Sequence, residues 1–429
     1  MILLSVIVIL FIFLAIGAPV GFAMGIAGAV GLYFVTDMDG LLGVLQTAAF
    51  SSVSSYELIT IPMFLLMAEF VLLSGVADDL FKAMAAWIGR IPGGLGIATA
   101  LAGAGFGAIC GTSTASAATL SSTSLPAMLK QGYDPRLASG VVAISGTLAM
   151  LIPPSVAMVL YGLLAGVNIG QLLMAGIIPL VLITFTIAAT IWFLAWRDPA
   201  SAPAAPAVPF SEKLRMLKLV GPMLALFGLV TGIIYTGVAT PTEASAIGAF
   251  GALLLAARAH KLGGGGFAVA VSKATRASCM IVMILLGASI FGYFFALTQV
   301  SQDLVGWVGG LDVSRWIILI LLLLCYIVLG SFMDQLAILV LTVPIVVPLM
   351  TALDFNLVWF GVIKIVTAEI GMVTPPIGLN CHIVARYSGR PVMEVFHGTL
   401  PHVYAHIAAM ALLVAFPGII LWLPAHMMK

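Results

Sequence analysis

Long apolar runs separated by short polar turns dominate the chain, and their lengths predict its elements. A backbone in hydrocarbon must satisfy its own hydrogen bonds, so an apolar run of ~20 residues reads as a helix that crosses a bilayer. The clearest runs cover residues 56–76, 94–110, 137–163, 172–196, 216–236, 241–258, 275–298, 313–330, 356–374 and 400–424. The first 36 residues predict one or two more. They are apolar from position 2 and lack the positive start of a secretory signal, so this segment is expected to stay as a membrane helix. The total is about ten to twelve spans. Two further stretches break the pattern. Residues 111–130 are short-sided, rich in hydroxyls and contain Pro126, and residues 331–350 carry Asp334, Pro344 and Pro348. Both predict helical hairpins that enter the membrane and return. Such backbone survives at depth only when buried in protein or lining a wet cavity.

Composition agrees with this pattern. Apolar types make up 62% of the 429 residues and charged types 8%, with a mean hydropathy of +1.22. A soluble domain carries about 25% charged residues, so the solvent around this chain is mostly lipid. A net charge of +1 gives no sign of a nucleic-acid partner. Cys110, Cys279, Cys325 and Cys381 are scattered among apolar segments with no CxxC pair, and read as small core residues.

Charge sets sidedness. The linker at residues 197–218 is rich in proline and alanine and carries Arg197, Lys213, Arg215 and Lys218. The loop near 258–276 adds Arg258, Lys261, Lys273 and Arg276. Two spans separate these loops, so they share a side, and the positive-inside rule makes it cytoplasmic. The linker divides the chain into a first unit, 1–196, and a second, 219–429.

The two units share helix breakers at a fixed offset of 222 residues. Pro19 matches Pro241, Pro126 matches Pro348, Pro153-Pro154 matches Pro375-Pro376, and Gly176 and Pro179 match Gly398 and Pro401. Shared breakers with little shared side-chain identity mean that backbone geometry is duplicated. Duplicated halves with interrupted membrane segments mark a secondary transporter whose site lies near the midplane. The offset alone leaves the relative orientation of the halves open; an odd number of crossings per unit would make them inverted.

Several constellations carry possible chemistry. Thr112, Ser113, Thr114 and Ser116 beside Gly111 offer hard oxygen ligands at a hairpin tip; the same small residues also suit close helix packing. The counterpart of Thr112 is Asp334, which in an apolar segment reads as a cation ligand, a helix cap or a proton carrier. The segments 145–158 and 368–380 should unwind at their proline doublets, exposing carbonyls upstream and a helix N-terminus downstream. Thr240 followed by Glu243, with Pro241 between them, reads as a capping box. Lys364 reads as snorkelling or paired with Glu369, and His402 and His406 as interfacial. Gly17, Gly21 and Gly25 suggest a helix-contact face. No GxxxxGK[ST] loop is present, so ATP does not drive this chain directly, and no catalytic constellation suggests an enzyme.

The stretches GYDPRLASGVVAISGTLAMLIPPS (132–155), GVATPTEASAIGA (237–249), GSFMDQLAILVLTVPIVVPL (330–349) and GMVTPPIGLN (371–380) resemble the large membrane subunit of tripartite ATP-independent periplasmic (TRAP) transporters. The resemblance runs over nearly the whole chain. It implies an all-α polytopic protein of two inverted repeats working as an elevator in a bacterial inner membrane. It implies three partners: a small organic anion, a periplasmic substrate-binding protein, and a separate small membrane subunit of about four spanning helices. No cofactor is expected beyond Na+ as coupling ion. The resemblance places sodium at Gly111, Thr112, Ser113, Thr114 and Ser116 with Ser145, Gly146 and Thr147, and at Ser331 and Asp334 with Thr374, Pro375 and Gly378. The solute is expected against Thr112, Ser113, Pro154, Ser155, Pro376 and Asn380. The competing expectations are a proton-coupled or binding-protein-independent anion carrier, with Asp334 as proton carrier, and a passive channel.

Overall fold

The computed structural model describes residues 2–153, 155–311 and 313–427. Among these residues the chain is helical throughout, without strands. The first half opens with α1 (Ile2–Ala15), α2 (Val20–Ser51) and, after a 3-10 turn at Tyr56–Ile59, α3 (Thr60–Ser74). The helix α4 (Val76–Ile88) leads into α5 (Gly94–Cys110) and α6 (Ser113–Lys130). Then follow α7 (Pro135–Gly146), a 3-10 turn at Thr147–Met150, α8 (Val156–Ala165), α9 (Ile169–Ala175) and α10 (Ile177–Arg197). The second half repeats the series as α11 (Phe210–Tyr235), α12 (Pro241–Arg258), α13 (Gly266–Leu297) and α14 (Val300–Gly309). It continues with α15 (Arg315–Phe332), α16 (Gln335–Ala352), α17 (Leu357–Gly371) and α18 (Leu379–Ser388), and ends in α19 (Val392–Ala415) and α20 (Gly418–Ala425). The offset of 222 residues recurs in these boundaries: α6 and α16 differ by it at both ends, and α7 and α17 at their starts.

Among the described residues eight helical stretches are long and apolar enough to cross a membrane, and Ile2–Ala15, Gly94–Gly107 and Val156–Ala165 are shorter apolar pieces. The runs 137–163 and 356–374 do not appear among the eight because each breaks before it is long enough. The break after α7 begins as a 3-10 turn and Ser155 then caps α8; Pro154 lies outside the described residues. The break after α17 spans residues 372–378.

Both hairpins are larger than the sequence suggests. Residues 111–130 do not fold back on themselves. They form a single helix, α6, and the other arm is α5, expected as an independent span. The turn is Gly111 in the left-handed region (φ 64°) followed by extended Thr112. Likewise α15 and α16 are the two arms of the second hairpin, turning at extended Met333 and Asp334. Tyr326 donates from its hydroxyl to Thr342 Oγ1 across these arms at 3.1 Å. Hydropathy could not separate an arm from a span, because arms such as α15 and α16 are as long and apolar as spans.

Packing groups the helices into two bodies. One is α1, α2 and α3 with α11, α12 and α13, where α2 lies along α13 and α3 along α12. Gly21 and Gly28 admit the backbone of α13 at Met283–Ile284 and at Phe291, where a Cβ would collide. Gly17 precedes α2, and a Cβ there would meet nothing within 4 Å, so the glycine face starts later than expected. The other body gathers the hairpins, the broken helices, α10 and α19. The linker is also corrected: residues 210–218 are the first turns of α11. The remainder is strapped down, with Ala202 and Ser201 carbonyls accepting from Gly93 (3.0 Å) and Asp134 (2.8 Å), and Ala205 donating to Gly89 (2.8 Å).

Candidate functional site

At the first hairpin the left-handed Gly111 lets α5 end, its N–H donating to the Gly107 carbonyl at 3.1 Å. Thr112 then caps α6, its Oγ1 accepting from the Ala115 N–H at 3.4 Å. This tip rests on the two halves of the first broken helix. A Cβ on Gly111 would meet Val156 Cγ2 at 3.2 Å, and one on Gly146 would meet Ala117 Cβ at 2.8 Å. The fold therefore seats the start of α6 on α7 and on the 3-10 turn that follows it, with Gly146 against Ala117. Ser116 and Ser145 are fully buried and their hydroxyls have no partner. Thr147 donates to the Ile144 carbonyl at 2.7 Å, which leaves its oxygen lone pairs available. Ser155 caps α8, accepting from the Met158 N–H at 3.2 Å.

The second hairpin meets its own broken helix in the same way. The Ser331 carbonyl accepts from the Gly378 N–H at 3.0 Å. Asp334 caps α16 through Oδ2, which accepts from the Leu336 N–H at 3.0 Å. Thr374 donates to the Ile370 carbonyl at 2.6 Å, while Pro375 and Pro376 stand exposed. Asn380 is buried with both amide atoms unpartnered.

The two hairpin regions also touch each other. Ser113, on the first hairpin, places its hydroxyl 3.3 Å from Met372 Sδ in the second unwound segment. The arm α6 packs on α18, and α16 packs on α8, so each hairpin is braced by the other half's restarted helix.

Two residues in this cluster were not assigned a role from sequence. Glu369 is 1% exposed with both carboxylate oxygens unpartnered, and it lies beside Ser113 and Asp334. Gln335 is fully buried with its side-chain amide unpartnered. The offset could have found both, since Glu369 is the counterpart of Thr147 and Gln335 of Ser113. Unpartnered buried polar groups cost about 1–3 kcal/mol each, so this many in one place point to a site and not to packing.

Three other readings change. Lys364 neither snorkels nor pairs with Glu369. It is fully buried, and its Nζ stands 5.1 Å from the Tyr326 ring centroid and 5.9 Å from that of Tyr161. His402 and His406 are buried inside the bundle, not interfacial, and none of their ring nitrogens has a partner. The capping box at α12 is present, the Thr240 N–H reaching Glu243 Oε2 at 2.8 Å. Among the described residues no group of three or more His, Cys, Asp or Glu side chains is placed to hold a metal. A cavity of about 810 Å³ lies apart from the hairpin tips, between the ends of α2 and α8 and the starts of α9 and α12.

Two clusters of buried polar side chains thus lie where the hairpins meet the broken helices. The model of the DctM component of tripartite ATP-independent periplasmic transporters matches residues 7–419. The chain belongs to the TRAP transporter family. It is a large membrane subunit of that family, a transport protein and not an enzyme. Over 404 residues it is 30% identical to the C4-dicarboxylate TRAP transporter large permease protein DctM of Pseudomonas aeruginosa, covering 94% of this chain and 93% of that one. It is 28% identical over 409 residues to the sialic acid TRAP transporter large permease protein SiaM of Vibrio cholerae, covering 95% of each. To the ectoine TRAP transporter large permease protein TeaC of Halomonas elongata it is 29% identical over 415 residues, covering 96% of each. Among solved structures, the fold is similar to the MtrF transporter of Neisseria gonorrhoeae at a TM-score of 0.64 and 14% identity, covering 96% of this chain and 94% of MtrF. It is also similar to the YdaH transporter of Alcanivorax borkumensis at 0.59 and 15% identity, covering 90% of each.

Proposed function

We propose that this TRAP subunit imports a small organic anion, a carboxylate or a sugar acid, in symport with sodium across a bacterial inner membrane. A periplasmic binding protein delivers the solute, and a separate small membrane subunit completes the carrier. The observation that carries the reading is the pairing of each hairpin tip with an unwound segment, where buried oxygens stand without partners. Sodium binds at Gly111–Ser116 with Ser145, Gly146 and Thr147, and at Ser331 and Asp334 with Thr374, Pro375 and Gly378. The solute lies between them, against Thr112, Ser113, Pro154, Ser155, Pro376 and Asn380. Unwound carbonyls favour the cations and the N-termini of α8 and α18 favour the anion.

The two halves are inverted copies. Each makes five passes, counting α1, α2, α3, the broken helix and the α9–α10 pair in the first half, with the hairpin returning to its own side. An odd number reverses the second copy. The mobile body is the one that holds hairpins and broken helices, and it moves as an elevator against the body of α1–α3 and α11–α13. The test is uptake into proteoliposomes that contain this chain, its small subunit and the binding protein. Uptake is expected only with an inward sodium gradient; equal uptake in potassium or choline would refute the coupling.

A further inference from the structure

The 810 Å³ cavity has a chemistry of its own. Its volume falls within the ~300–1,000 Å³ of small-molecule sites. One wall comes from the end of α2, the 3-10 turn before α3, the start of α12 and the middle of α13; the other is the α8–α9 turn with Pro344 of α16. Thus it opens between the two bodies. Its polar surface is mostly hydroxyl, from residues such as Ser51, Ser52, Ser55, Thr242 and Ser289. Thr242 is tied to Thr60 at 2.8 Å and shapes the wall. The side-chain hydroxyls of Ser52, Ser55 and Ser289 have no hydrogen-bond partner among the described residues, and the Ser52 Oγ is buried. No lysine, arginine or histidine lines the cavity, and Glu57 is its one ionisable carboxylate.

Sidedness follows from the basic segments. Helix α11 starts at the Lys213–Lys218 stretch and crosses once before Thr240. Helix α3 crosses once between Tyr56 and the segment that holds Lys82 and Arg90. Both routes put the cavity on the non-cytoplasmic side. Gly162, at its inner end, is six residues from the N-terminus of α8, about 9 Å of helix at 1.5 Å per residue.

We propose that this cavity is a vestibular subsite that receives the hydroxylated tail of a polyhydroxy monocarboxylate. The acid group is not held here, since nothing cationic lines the wall; it points inward, toward the N-terminal end of α8. A purely hydrocarbon tail would leave the free serine hydroxyls unpaired and is disfavoured. The inference rests on the import reading in one respect, that an organic acid arrives from the non-cytoplasmic face.

The test is cysteine accessibility. Ser51→Cys and Ser289→Cys are introduced singly in the full chain, co-expressed with its small subunit, in right-side-out membrane vesicles, against the parent chain as background. A membrane-impermeant maleimide should label both. Gluconate at ten times its Kd should slow labelling about tenfold, because about one site in ten stays free. Hexanoate, equal in charge and chain length but without hydroxyls, should leave the rate unchanged. If a variant does not reach the membrane, Ser55→Cys reports on the same wall. Absence of labelling, or equal protection by the two acids, overturns the proposal. Labelling needs no sodium gradient, so a failure of sodium coupling in the uptake assay leaves this result independent.

Discussion

Asp334 is both the helix cap of α16 and a proposed cation ligand, and substitution can separate the roles. Asn caps as well as Asp, whereas Ala costs about 1 kcal/mol. Asp334→Asn should therefore melt in detergent near the parent temperature and yet require much more sodium for half-maximal uptake. Asp334→Ala should both melt lower and lose sodium response. An asparagine variant with unchanged sodium affinity would remove Asp334 from the ligand set. Lys364 poses the opposite case: a buried amine without a hydrogen-bond partner. Replacing such a group by an apolar residue of similar length is neutral or stabilising. Lys364→Met should melt at or above the parent temperature, and Lys364→Glu, which buries a carboxyl against the tyrosine faces, should melt lower. At this scale the sequence singled out polar residues that the fold buries beside the hairpins. It could not show which were already satisfied, because partners such as Met372 for Ser113 lie hundreds of positions away.

At the scale of elements, glycine contacts decide how the hairpins seat. A Cβ on Gly330 would run into the Ala368 carbonyl and meet Gly371 Cα at 3.0 Å, so α15 and α17 touch backbone to backbone. Gly330→Val should lower the melting temperature by an amount equivalent to about 1–3 kcal/mol. Gly228→Val on α11, where nothing lies within 4 Å, is the control and should change little. Equal effects at the two positions would mean that helix propensity, not the close approach, sets the cost. Breakers in the sequence located the unwound segments well, because proline doublets leave the backbone little choice. The hairpin arms were harder to read. Only the turn distinguishes an arm from a span, and it occupies two residues, Gly111–Thr112 or Met333–Asp334.

For the whole molecule, the two proposed cation sites set the charge expected to move. Two sodium ions with a monoanion carry one net positive charge inward, worth ~2.3 kcal/mol per 100 mV. Each 100 mV, inside negative, should then raise accumulation roughly fifty-fold at equilibrium. Valinomycin-clamped potassium potentials across proteoliposomes measure this directly, and accumulation indifferent to potential would exclude the two-to-one ratio. The 222-residue offset was legible because it is written in prolines and glycines. The division into two bodies was not, because it depends on which apolar faces meet, and hydropathy is nearly the same on all of them.

The strap that joins the halves has a bearing on how the chain can be divided. Backbone groups of residues 201–205 tie onto the α4–α5 and α6–α7 turns of the first half, and the Gln131 side chain adds a bond to the Ala204 carbonyl at 3.0 Å. These residues belong structurally to the first half although they follow its last helix. Two co-expressed fragments should thus reassemble when the cut falls just after Ala205. A cut just after Arg197 would hand the brace to the wrong fragment and leave the base of the first hairpin unfastened.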